Sequence, residues 1–165
     1  MTPKLFLTVL MFLLFNRFFA QESLIIDYSG IKRNHIYIEA YSVKPDYSEF
    51  NFSINYEYSI GSKRKVSMRL GFYPSFEDKG YVFPLTINWL TAPQKKHHFE
   101  YGFGPVLGFE RDTKNNRTYF VFGGALVPLM YRFQKQKGIF FRTGINVFVS
   151  YPTLISPSVS LGYKF

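Results

Sequence analysis

His97-His-Phe-Glu-Tyr-Gly-Phe-Gly-Pro-Val-Leu-Gly-Phe-Glu110 is the stretch that decides the fold. Phe99, Tyr101, Phe103, Pro105, Leu107 and Phe109 fall on one face. His98, Glu100, Gly102, Gly104, Val106, Gly108 and Glu110 fall on the other. Side chains of a strand point alternately to its two faces, so this period of two predicts a strand. One face is apolar throughout, and the other is small or charged. Glycine weakens a strand unless something crowds close to it. A wall with lipid on one side and a narrow polar lumen on the other meets both conditions.

The same alternation recurs on either side. Phe52, Ile54, Tyr56, Tyr58 and Ile60 oppose Ser53, Asn55, Glu57 and Ser59. Val66, Met68, Leu70 and Phe72 oppose Ser67, Arg69, Gly71 and Tyr73. Phe83, Leu85, Ile87 and Trp89 oppose Pro84, Thr86 and Asn88. Phe141, Thr143, Ile145, Val147 and Val149 oppose Arg142, Gly144 and Asn146. Val159, Leu161, Tyr163 and Phe165 oppose Ser158, Ser160, Gly162 and Lys164. Residues 35–42 and 118–134 are strand-like with a less regular pattern. Within the latter, Gly123-Gly124 and Pro128 predict a bulge or bend. About eight strands result, with both ends of the barrel wall at one rim.

The connections alternate too. One set is short and basic, carrying Lys63, Arg64 and Lys65, then Lys95 and Lys96, then Lys135 and Lys137. The other set, 43–49, 74–80, 110–117 and 151–157, holds Asp46, Glu49, Glu77, Asp78, Glu110 and Asp112. Antiparallel neighbours put alternate connections at opposite rims. Short turns of such barrels face the periplasm. The basic rim is therefore expected to meet the phosphates of the inner leaflet, where each Lys or Arg gains about 1 kcal/mol.

The first residues match an export signal. Lys4 precedes the apolar run Leu5–Phe15, and Asn16-Arg-Phe-Phe-Ala20 follows. The run is shorter than the roughly 20 residues a spanning helix needs, so it reads as a signal peptide cleaved after Ala20. The expected organisation is a signal peptide over 1–20, an N-terminal periplasmic segment over 21–33 and a barrel over 34–165. No other apolar run is long enough for a membrane helix. The chain has 165 residues, enough for one domain, and no Cys, which removes disulfides and thiolate metal sites. Its formal charge is +9, of which Lys4 and Arg17 supply two. Basic balance often marks nucleic-acid binding, but the export signal argues against that partner, and the placement of basic residues at one set of turns offers a better explanation. Aromatic residues make up 21% of the chain, enough to furnish girdles at both membrane interfaces.

The predicted inward face carries Glu39, Glu57 and Glu100 against Arg69, Arg142 and Lys164. An eight-stranded interior is just wide enough for side chains to fill. Unpaired buried charge is costly, so these groups are expected to pair into a packed ionic core. If Ile60 faces Val66, then Glu57 faces Arg69. Catalysis is not expected. His35, His97 and His98 all fall near the basic rim, and neither Ser158 nor Ser160 shows a nucleophile–base spacing. His97 and His98 are adjacent and point apart on a strand, so a metal pair is not expected either. No cofactor motif is present.

Asn34-His-Ile-Tyr-Ile-Glu-Ala40, Phe52-Ser-Ile-Asn-Tyr-Glu-Tyr58 and Phe99-Glu-Tyr-Gly-Phe-Gly-Pro105 resemble the small outer-membrane β-barrel proteins of Bacteroidota-type bacteria. So do Tyr131–Arg142 and Ser158–Phe165, and the resemblance spans about residues 34–165. It implies an all-β, eight-stranded antiparallel up-and-down transmembrane barrel. It also implies that Tyr163 and Phe165 form the terminal signal read by the barrel-assembly machinery. It carries over no catalytic residues. The expected partners are the lipid bilayer, the assembly machinery and, at the loops, a protein. Two rivals stand beside this reading. One is a secreted lipocalin-like barrel, which needs its apolar face inside. The other is a lipid-modifying enzyme on the same barrel.

Overall fold

Period-two alternation commits the chain to eight strands. These are β1 (Asn34–Ser42), β2 (Phe50–Ile60), β3 (Val66–Ser75), β4 (Gly80–Leu90), β5 (His97–Asp112), β6 (Arg117–Gln134), β7 (Gly138–Val149) and β8 (Leu154–Lys164). The computed structural model describes residues 30–42, 50–75, 80–112, 117–135 and 137–165. The expected signal peptide, most of segment 21–33, and Asp46, Glu49, Glu77 and Asp78 lie outside the described residues. Each strand pairs antiparallel with its sequence neighbours, and β8 returns to β1, closing the barrel. At the seam, the Phe165 amide donates to the Asn34 carbonyl at 3.0 Å, so both ends of the wall share the rim of the short turns.

The faces sort as a membrane wall requires. Ile38 is 55% exposed and its neighbour Glu39 0%. Phe52, Phe103 and Leu161 stand outside, while Glu57, Arg69 and Arg142 are buried within. A soluble barrel enclosing an apolar ligand needs the reverse, so the lipocalin-like rival does not fit this orientation. Outer aromatic rings gather at two levels. Near the loops, Phe72 contacts Tyr81 and Phe83, Phe83 contacts Phe109, and Phe109 contacts Phe120. Near the short turns, Trp89 stacks on Tyr101, and Phe99 meets Tyr131 edge to face. On β5 the two levels are marked by Phe99 and Phe109. That separation is about 33 Å along a strand. At a tilt of about 40° it becomes about 25 Å, the height of an apolar membrane band.

Two details differ from the sequence expectation. The last strand begins at Leu154, so the expected loop 151–157 contracts. Pro157 is accommodated because its ring points outward while Ser156 and Ser158 turn inward. Pro128 sits within the regular β6–β7 pairing, opposite Asn146, and makes no bulge. The irregularity lies at Gly123-Gly124. Pro105 pairs with Ala125 and Leu107 with Phe122, so β6 holds one extra residue there. The bulge reverses the parity of β6. Beyond it Phe120 and Phe122 face out and Val121 faces in, opposite Gly108.

Gly124 has φ +98°, and a Cβ there would run into the Val149 carbonyl oxygen. Gly61 also has a positive φ, +74°, but open space around it. Gly124→Ala is expected to lower folding stability by about 1–3 kcal/mol. Gly61→Asn should stay within about 0.5 kcal/mol of the parent. Urea titration followed by Trp89 fluorescence distinguishes them, and equal losses would show that the bulge imposes no special constraint.

Candidate functional site

Strand parity delivers one charged side chain from seven of the eight strands into the lumen. The carboxylates are Glu39 from β1, Glu57 from β2 and Glu100 from β5. The cations are Arg69 from β3, Arg132 from β6, Arg142 from β7 and Lys164 from β8, and all seven are buried. Arg132 is the hub. Its Nη1 donates to Glu57 Oε1 at 2.8 Å and to Glu100 Oε2 at 2.9 Å. Arg142 Nη2 donates to the other oxygen of Glu100 at 2.7 Å. Glu39 accepts from Arg69 Nη2, and from Asn146 Nδ2 at 2.8 Å.

Glu57 lies directly opposite Arg69 in the β2–β3 register, but the two form no ion pair. Arg69 gives its Nε to Asn55 Oδ1 at 3.0 Å and reaches Glu39. Glu57 instead takes Arg132 and His35, the latter at 3.0 Å. Strand tilt brings residues of different cross-strand pairs to one height, and long arginines exploit this across a narrow interior. Arg132 also changes the expected balance of three acids against three bases. Four cations now face three carboxylates, and Lys164 has only a neutral partner, Gln134 Oε1 at 3.1 Å. The signal for Arg132 was its place between outward Tyr131 and Phe133. The bulge upstream had obscured the parity of β6.

Aromatic rings fill the space between the ions. Phe140 meets Tyr37 and His35 edge to face, with centroids 5.6 and 5.7 Å apart. The Arg132 guanidinium lies 4.5 Å from the Phe140 centroid, and that of Arg142 lies 4.6 Å from Tyr37. Such cation–π contacts gain strength when desolvated. Gly162 makes the packing possible, because a Cβ there would fall 2.6 Å from the Phe140 ring.

The histidines separate. His35 and His98 stand near the short-turn rim as expected, and their side chains are buried in the lumen. The reason is parity, since each lies two residues from an inward glutamate or tyrosine (His98 from Glu100, His35 from Tyr37). His97 is outside, hydrogen-bonded to the Tyr131 hydroxyl. Ser158 Oγ approaches Met130 Sδ at 3.5 Å. Lys63, Lys95, Lys96, Lys135 and Lys137 are exposed at the short-turn rim and Lys65 is half-buried. Arg64 folds back instead, with Nη1 on the Gly61 carbonyl at 2.6 Å and φ +54°. Tyr163 and Phe165 stack on the outer wall at that rim, with centroids 6.5 Å apart.

The barrel is similar to the N-terminal β-barrel domain of Pseudomonas aeruginosa OprF. The TM-score is 0.57 at 12% identity, over 81% of this chain and 99% of that one. At that identity the likeness concerns the fold. No protein-family model and no curated protein matches the chain.

Removing one partner of a buried ion pair costs about 3–5 kcal/mol, whereas an apolar replacement for a poorly paired ion is neutral or stabilising. Arg132→Met is therefore expected to destabilise the barrel by about 3–5 kcal/mol. Lys164→Met should leave stability unchanged or raise it. Urea midpoints of the heat-modifiable band provide the readout, and a large loss for Lys164→Met would contradict the assigned hierarchy.

Proposed function

We propose that this chain is an integral outer-membrane protein of the small Bacteroidota barrel type, with a structural or interaction role and a lumen that does not conduct. The observation that supports closure is the Arg132 hub, which ties β6 to β2 and β5 through side chains with at most 1% exposure. An ion crossing the lumen has to break those pairs, and the interior of eight strands offers no parallel route. The orientation of the apolar face and the two aromatic levels support the membrane location. The assignment to the Bacteroidota type rests on the sequence resemblance.

The exposed lysines of the short-turn rim are read as periplasmic, in register with inner-leaflet phosphates. Tyr163 and Phe165 are read as the segment offered to the assembly machinery. The opposite rim, with the projecting β5–β6 hairpin, is the part free to meet another protein. This reading includes no catalytic step and no cofactor.

Planar-bilayer recording tests closure: no steady current is expected from the reconstituted full chain, and a steady ion current would sink the proposal. Insertion kinetics test the rim. Insertion into vesicles containing anionic phospholipid should outpace insertion into neutral ones. Replacing Lys95, Lys96, Lys135 and Lys137 by Gln should erase the difference, and no lipid dependence in the parent would remove the assigned lysine role.

A further inference from the structure

The lumen changes character along its axis. Ions and rings fill the half near the short turns. At the loop end, a cavity of about 650 Å³ opens between β3, β4, β5, β6 and the β7–β8 turn. Its inward walls are Tyr73, Val82, Val106, Val121, Phe148 and Leu154, and Gly80, Gly108 and Gly123 leave it wide. Tyr41 closes the inner end, packed on Tyr73 and Phe148 with ring centroids 5.8 Å from each. The volume lies within the range of small-molecule pockets, and the walls are those of an apolar ligand site. Among the described lining residues the one carboxylate is Glu110, which stands exposed at the loop end of β5.

The wall beside this cavity is incomplete. β6 pairs with β5 from Arg117 onward, but with β7 only from Ala125. Among the described residues, 117–123 therefore have strand pairing on one side alone. The gap is flanked by Gly123 and Ser150, both of which also line the cavity. It sits beside Phe122 and Phe120, at the level of the loop-side aromatic girdle. Free strand edges are not tolerated in hydrocarbon but are tolerated at the interface, where such girdles lie. The gap thus joins an apolar cup to the depth at which lipid chains meet their polar headgroups.

We propose that this cup binds the acyl chain of a bilayer lipid, admitted sideways between β6 and the β7–β8 turn, with the headgroup remaining at the girdle. The inference rests on the membrane reading above and goes beyond it by assigning a ligand. A lipid is favoured over a water-borne solute because the lateral opening lies at the loop-side aromatic girdle, at the edge of the apolar band.

The test uses the full chain in nanodiscs containing a phospholipid with a photoreactive diazirine on one acyl chain. Crosslinks are mapped by mass spectrometry. Labelling of Val106, Val121 and Phe148 is expected in addition to the outer wall. Gly108→Phe should fill the cup, because a Cβ there meets only ordinary contacts, the nearest being the Val121 carbonyl at 3.5 Å. Interior labelling should fall about tenfold, the effect of losing roughly two buried methylenes. Leu107→Phe, which adds its ring on the outer wall, should leave interior labelling unchanged. Labelling confined to outward residues such as Phe83, Leu107 and Phe122 overturns the proposal. So does interior labelling by a diazirine fatty acid supplied from water but not by the phospholipid. If Gly108→Phe fails to fold, the parent map decides alone. Failure of the parent to enter nanodiscs counts against the membrane reading itself.

Discussion

Closing eight strands on themselves fixes an interior so narrow that a charge entering it is costly unless it finds a partner. Most of the structure is an answer to that constraint. Arg132 serves two carboxylates, Glu100 serves two arginines, and each guanidinium that lacks a full set of oxygens lies against a ring. The same constraint calls for glycine wherever a large neighbour leans inward, as Phe140 does over Gly162. The outward apolar surface needs no such matching, and its residues are interchangeable in kind: Ile, Leu, Phe, Val.

How far the fold was legible follows from this asymmetry. A strand with an apolar outer face on one side and a packed lumen on the other repeats every two residues, so β2, β3, β4 and β5 could be read almost to their ends. The network inside was legible only as a set of inward charges. Glu57 and Arg69 fall opposite one another as counted, but cross-strand register is a backbone property. Ion pairing is decided by how far side chains reach across the tilt. Arg132 and Phe140 are hidden in the sequence for related reasons. An arginine between two aromatics looks like surface decoration, and a lone Phe next to Phe141 looks like one more lipid-facing ring. Position 140 becomes lumenal only when β7 is known to start at Gly138.

The bulge at Gly123-Gly124 has effects at two scales. Locally it inserts one residue and turns Phe120 and Phe122 outward. Globally it lets the β5–β6 hairpin outgrow its neighbours, which leaves β6 without a partner on the β7 side. A regular β6 would have placed Phe122 in the lumen and filled the space that is now a cavity. One extra residue therefore separates a barrel packed from end to end from one with an apolar cup at one mouth.

The seam between β1 and β8 has a kinetic meaning. Ile36 pairs with Tyr163 and Tyr37 with Gly162, so strands from opposite ends of the wall must meet before either has a second neighbour. Contacts of such separation pay their loop-closure entropy before they return any stabilisation, and they slow folding. Until β8 arrives, β1 presents a bare edge and the ion pairs of the lumen have no enclosing wall. The barrel can thus exist as an open, sticky sheet or as a finished cylinder, with little of intermediate stability between them. That all-or-none character leaves the open sheet exposed to edge pairing with other chains until the barrel closes.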